Sequence, residues 1–248
     1  MIDVQTKVDV EVKGIHTFVL CDARSERAQK LSAHCESIGF RRAAILYKRD
    51  EALLPLQLKA SYLNKIIARQ QYPSEDMVKE HTSLIKNTRA LAGQFIEKLR
   101  ELWEEYRYYA EVLQRNFQTQ EIVIENITTT VGRAVFAQRL GGDTTFTGTV
   151  THTALGSDNT AAVIADTTLG TETYRKAISS GTDASNVAHL ETFFSASEVT
   201  GTFEEYANFI DGTGSADTGQ MTNRFVSSIT KSGTETLNVQ SIITFNDA

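Results

Sequence analysis

The chain has 248 residues, 41% of them hydrophobic, and a formal net charge of −6, which allows one large domain or two ordinary ones. That acidic balance argues against nucleic-acid binding, which needs clustered Lys and Arg, and no apolar run reaches the length of a membrane span. Two cysteines with no CxxC pairing exclude a disulfide scaffold and a zinc site, so Cys21 and Cys35 read as reduced packing residues.

The opening MIDVQTKVDVEVK lacks the basic-then-apolar order of a signal peptide, and a chain made in the cytoplasm is expected. Val8, Val10 and Val12 alternate with acids, which predicts a short strand continuing towards Leu20. It is expected either to form a hairpin on itself at Lys13-Gly14 or, preferably, to join a sheet of another subunit. A helix follows from Ala23, carried by Ala28, Leu31, Cys35 and Ile38, with Gly39 as its stop. A second helix is expected near Arg41, broken or kinked at Pro55. Arg41, Arg42, Lys48 and Arg49 form a basic cluster that reads as a solvated or partner-facing edge.

Residues 74–117 predict one long helix. Ser74 is the N-cap, Pro73 blocks continuation upstream, and Glu75 and Asp76 suit the positive end of the helix dipole. Its apolar stripe includes Leu91, Phe95, Leu99, Leu102, Tyr106, Tyr109 and Leu113, spaced mostly three or four apart. A helix of some forty residues is about 60 Å long, more than its own subunit is expected to cover, so these residues are the expected contacts with other copies.

Beyond residue 118 the vocabulary changes. The net charge passes from +3 to −9, and threonine from 4 residues in the first part to 26 in the second. We therefore divide the chain into a helical anchoring and oligomerisation domain, 1–118, and a Thr-rich β-sandwich domain, 119–248. Residues 121–130 read as extended chain, and 131–140 as a short helix capped by Thr129 or Thr130. Period-two stretches at 146–154, 171–179, 186–194, 202–210, 222–229 and 234–245 predict five to seven antiparallel strands, with turns at 156–159, 180–183, 211–214 and 231–233. The fold class is α+β: an N-terminal helical module with one long helix and a short strand, followed by an antiparallel β-sandwich.

Ala154-Leu155-Gly156 followed by Asp166-Thr-Thr-Leu-Gly-Thr-Glu-Thr-Tyr-Arg175, and then Phe203-Glu-Glu-Tyr-Ala-Asn-Phe-Ile-Asp-Gly212, resembles the β domain of phage tail-collar fibre and similar virion proteins. The similarity spans about residues 128–246. Leu169, Glu172, Tyr174 and Arg175 match one strand of the pattern, and Phe203, Glu205, Phe209, Asp211 and Gly212 another, while Ala207 stands where the family carries Gly. On a regular strand Glu172 and Arg175 would point to opposite faces, so Arg175 is expected to reach Glu204 or Glu205 on a neighbouring strand.

Chemistry finds little purchase. His16, His34, His81, His152 and His189 sit in no triad or metal-binding spacing. Asp211 and Asp217 flank a Gly-rich segment that reads as a plain turn before a calcium loop, and Trp103, Tyr106, Tyr108 and Tyr109 read as core or subunit contact before a sugar-stacking or partner-binding patch. The expectation is a non-enzymatic virion structural protein without cofactor or metal, a tail, neck or head-attached fibre or adaptor. Its expected partners are other copies of itself and other virion proteins, with no nucleic acid and no membrane. A receptor- or glycan-binding module on the virion surface is the alternative, with the host surface as partner.

Overall fold

In a computed structural model, which describes residues 10–69 and 74–247, the chain forms two five-stranded antiparallel sheets and three helices. Val8 and Pro73 lie outside the described residues. Strand β1 (Val10–Asp22) leads into α1 (Glu26–Arg69) and α2 (Glu75–Phe117), after which β2 (Gln118–Glu125), β3 (Ile127–Thr128) and α3 (Thr130–Leu140) follow. The rest is strand: β4 (Val150–Gly156), β5 (Glu172–Ala177), β6 (Ser180–Ala184), β7 (Val187–Phe194), β8 (Gly201–Ile210), β9 (Gln220–Lys231) and β10 (Glu235–Asp247).

The first sheet runs β2-β1-β10-β7-β6 and the second β3-β9-β8-β4-β5. The N-terminal strand thus finds its partners inside its own chain, against both a self-hairpin and a foreign sheet. It pairs along its whole length with β10, from Val10 opposite Asp247 to Asp22 opposite Glu235, and on its other side with β2. The reason lies in its C-terminal half. Phe18 and Leu20 enter the core between the sheets, while Val19 and Cys21 face the helices, so the run is apolar on both sides and fits only a central strand. Helices α1 and α2 are in consequence an insertion between two neighbouring strands, and the sandwich draws on residues from both sides of position 118.

The inner core joins Phe18, Leu20, Leu155, Phe194, Phe203, Tyr206, Phe225, Ile229, Leu237 and Val239. Burying each large side chain contributes roughly 1.5–3 kcal/mol. A polar ladder crosses the same interface. Thr153 and Thr192 share a hydrogen bond of 2.8 Å, Asn208 Nδ2 donates to Ser241 Oγ at 3.0 Å, and His16 meets Asn126 Nδ2, Asn223 Nδ2 and Ser241 Oγ at 2.8, 3.0 and 2.7 Å. Because two amide groups aim at Nε2, that nitrogen accepts, and the imidazole is neutral with its proton on Nδ1. Complete burial holds its pKa down at about 3.

Helix α3 lies directly on β9. Thr129 caps it by accepting from the Gly132 N–H at 3.1 Å, and a Cβ on Gly132 would sit 2.7 Å from the Thr222 Cα. Val135 then packs with Val150, Ile178 and Ile210.

Two expectations about helix ends, the stop at Gly39 and the break at Pro55, fail, each for its own reason. Helix α1 runs without interruption through Gly39 and Pro55. Gly39 passes closely over Ser179, and the packing of this stretch offsets the ~1 kcal/mol that glycine costs a helix interior. Pro55 is exposed, so the carbonyl it leaves unpaired can turn to water. The segment from Ser180, expected as a turn, forms edge strand β6 against β7.

Candidate assembly surface

Helices α1 and α2 form an antiparallel hairpin, with Lys59 paired to Glu80 at 2.9 Å near its tip and Arg41 to Glu105 at 2.6 Å near its base. Each helix is about 65 Å long. Only the base rests on the sandwich: Ala28, Cys35 and Ile38 of α1 and Leu102, Tyr106, Ala110 and Leu113 of α2 close over Val19, Cys21 and Phe193. Tyr106 is fully buried and donates to Asn238 Oδ1 at 2.8 Å, and Asn238 Nδ2 in turn donates to Glu191 Oε2 at 2.8 Å. Burial raises the Glu191 carboxyl pKa. Cys21 and Cys35 are free thiols in this layer, and burial pushes both up to about 12.

The predicted contact stripe is therefore divided. Leu102, Tyr106 and Leu113 are occupied by their own chain, and half-buried Tyr109 stacks on His34 at 4.5 Å. Leu91, Phe95 and Leu99, further out, are half-buried beside α1. The two helices cover much of each other's seam because the hairpin is antiparallel, a pairing that the length of α2 alone does not reveal.

The uncovered apolar surface lies instead on α1. Phe40, Tyr47, Leu54, Leu58 and Tyr62 are 69, 71, 56, 63 and 66% exposed. At 100° per residue they fall within about 40° of one line, opposite the face that carries buried Ala28, Cys35, Ile38, Leu53 and Leu63. Helix α1 has two apolar faces, and only one has a partner in the chain. In the basic cluster on the same helix, Arg41 and Arg49 have carboxylate partners, whereas Arg42 is buried against the Ile178 carbonyl at 3.1 Å. No ion pair forms on Arg42 among the described residues, and burial lowers its pKa to about 10.

The aromatic group on α2 is dispersed. Tyr108 is exposed, and the face of Trp103 is covered by the Arg107 guanidinium at 4.7 Å. A cleft of about 620 Å³ lies beside them, lined by Trp103, Arg107, Asp183, His189 and Glu191 among others. No cluster of His, Cys, Asp and Glu able to hold a metal ion occurs among the described residues, and no helix among them is long and apolar enough to cross a membrane.

The residues of the fibre-like pattern gather in sheet two and its turns. Leu169, Ala207 and Phe209 share a small core with Ala154 and Met221, Phe203 lies in the inner core, and Tyr174 stands edge-on to Phe194. Arg175 does not reach Glu204 or Glu205. Between β4 and β5 the register slips so that Leu155 faces Tyr174 but Gly156 faces Glu172. The extra residue, Thr173, inverts the alternation and brings Glu172 round to Arg175. The two form a bidentate pair, both bonds 2.7 Å, with side chains 4 and 2% exposed. Arg175 Nη1 donates to the Thr218 carbonyl at 2.6 Å and the guanidinium lies 4.0 Å above Phe209, so this arginine holds the turn that carries Asp211 and Gly212. The Asp211 carboxylate accepts from the Thr147 N–H and hydroxyl. Arg175→Ala is expected to cost about 3 kcal/mol, read as a lower unfolding midpoint; unchanged melting would refute the clamp.

Glu205 has a different partner, Arg224. The signal for it was an arginine inside the strand stretch 222–229, next to Phe225 and Val226, where burial of the strand makes it tolerable only with a partner. Comparison with protein-family models, with curated proteins and with solved structures returns no match for this chain.

Proposed function

We propose that this chain is a non-enzymatic structural component of a bacteriophage virion, a fibre- or adaptor-type subunit of the tail, neck or head, that works through subunit packing. One observation carries this reading: a hairpin of helices that extends about 35 Å beyond its sandwich while displaying a line of large apolar side chains along its outer face. Such a line costs solubility unless another surface covers it. The resemblance of the β domain to fibre-type virion domains supplies the setting. The ion pairs Arg175–Glu172 and Arg224–Glu205 are both closed to solvent and brace turns of the second sheet.

The test has two parts. Peptide mass fingerprints of virions purified from the encoding phage are expected to contain the chain at many copies per particle, and light scattering on the purified protein is expected to give a mass above that of one subunit. A protein absent from virions and monomeric at micromolar concentration would overturn the proposal.

A further inference from the structure

The outer face of α1 follows the spacing of a coiled coil. Phe40, Ala44, Tyr47, Glu51, Leu54 and Leu58 are separated by alternating steps of four and three, with Ser61 and Lys65 continuing the series. A 4-3 repeat of this kind is matched by another helix, because only a helix returns a side chain to the same line at that interval. The sandwich does not obstruct a partner, since α1 meets it through Ala28, Cys35 and Ile38 on the opposite face.

Charge identifies the partner. The line carries one acid, Glu51, and one base, Lys65, and neither forms an ion pair among the described residues. In a parallel pair of copies Glu51 would face Glu51 at the seam, which is repulsive in a desolvated setting. In an antiparallel pair with its two-fold axis level with Leu56, Leu54 lies opposite the second copy's Leu58, Tyr47 opposite its Lys65 and Ala44 opposite its Ala68. Glu51 then stands about one helical turn from that Lys65, and the pairing occurs twice by symmetry. The stripe is complementary to itself. The overlap of residues 44–68 is about 36 Å long, on the scale of standard protein interfaces of about 800 Å² per side.

We infer that the outer face of α1 binds the same face of a second copy of this chain, antiparallel, through a symmetric seam of Leu54 and Leu58 registered by Glu51 and Lys65. This rests on the assembly reading above and adds to it the partner, the direction and the register.

The native cysteines are buried, so introduced ones report cleanly. Mixing an Ala44→Cys protein with an Ala68→Cys protein under mild oxidation is expected to give a disulfide-linked dimer, while Ala44→Cys alone does not cross-link. Cross-linking of Ala44→Cys with itself would show parallel packing and overturn the register. Glu51→Lys is expected to weaken the dimer about tenfold, and adding Lys65→Glu is expected to restore it, the charges having exchanged places. Failure of that rescue would also overturn the register. Leu54→Glu with Leu58→Glu is expected to give a monomer with unchanged helical circular dichroism. If that double variant keeps the native mass, or if the native chain is a monomer in solution that is nevertheless present in virions, the inference falls while the structural role stands.

Discussion

Replacing Glu205 with alanine is expected to lower the unfolding midpoint by about 10 °C. Its carboxylate is completely buried and serves four sets of donors. Arg224 gives it Nη2 at 2.9 Å and Nε at 3.1 Å, and the backbone N–H groups of Thr171, Gly170 and Asp158 approach at 2.7, 2.8 and 3.3 Å. Arg224 also reaches Asp166 Oδ2 at 2.9 Å, so a single anion–cation centre pins the connection between β4 and β5 onto β8 and β9. Truncation leaves a 4% exposed guanidinium short of its best partner and strands three amide donors, a cost of about 3–5 kcal/mol. Glu205→Gln keeps an acceptor for the amides and is expected to lose less. Differential scanning calorimetry of the two variants checks the order, and equal midpoints for both and for the native chain would refute the assignment.

The second large effect is a loss of stability in mild acid. His16 has a folded-state pKa of about 3 against 6.5 for an unhindered histidine. The sign follows from proton uptake: between these values the unfolded chain holds a proton that the folded chain refuses. Stability is therefore complete above pH 6.5 and declines as the pH falls towards 3, by roughly 1.4 kcal/mol per pH unit and on the order of 4–5 kcal/mol in all. The interval from pH 6.5 to 5 lies above the ordinary carboxylate range and reports on histidine, with fully buried His16 the main contributor and half-buried His152, whose pKa burial also lowers, adding to the same limb. Urea midpoints at pH 7.5, 6 and 5 are expected to fall stepwise, and His16→Gln is expected to flatten that limb from a lower starting stability. A native chain equally stable at pH 7.5 and 5 would show that His16 is not held neutral. Buried Glu191 acts in the opposite direction, its raised pKa favouring the fold at low pH, so the net acid response is smaller than that of His16 alone.

The sequence disclosed what repeats and concealed what depends on a distant partner. The N-cap of α2 at Ser74, the short helix behind Thr129 and the alternating strands beyond residue 150 follow from local chemistry, and the structure places all of them. The double-faced apolar run from Phe18 to Cys21 was opaque because its two sides meet different layers, which alternation cannot encode. Pro55 and Gly39 were misleading for a related reason: their intrinsic cost is real, but exposure at one and packing at the other absorb it. At the candidate surface, the stripe of α2 was visible, yet how far a single uninterrupted α1 covers it was not. The two apolar faces of α1 read as a single broad one, because the residues of the outer face interleave with those of the inner, Leu54 beside Leu53 and Tyr62 beside Leu63. A one-residue bulge at Thr173 was enough to reassign Arg175, since parity along a strand reverses with every insertion.

The placement of the helices between β1 and β2 bears on how the molecule arises. These strands are direct neighbours, Cys21 facing Gln118, so in topological terms the whole rod is an overgrown hairpin turn. Closing so long a gap by random search would be slow, but two helices that zip together from their tip carry their far ends to the same place. The rod thus acts as a tether that delivers the first strand to the edge of the second, and its outer part, beyond the layer that Tyr106 shares with the sheet, is free to lengthen or shorten without rewriting the strands beneath.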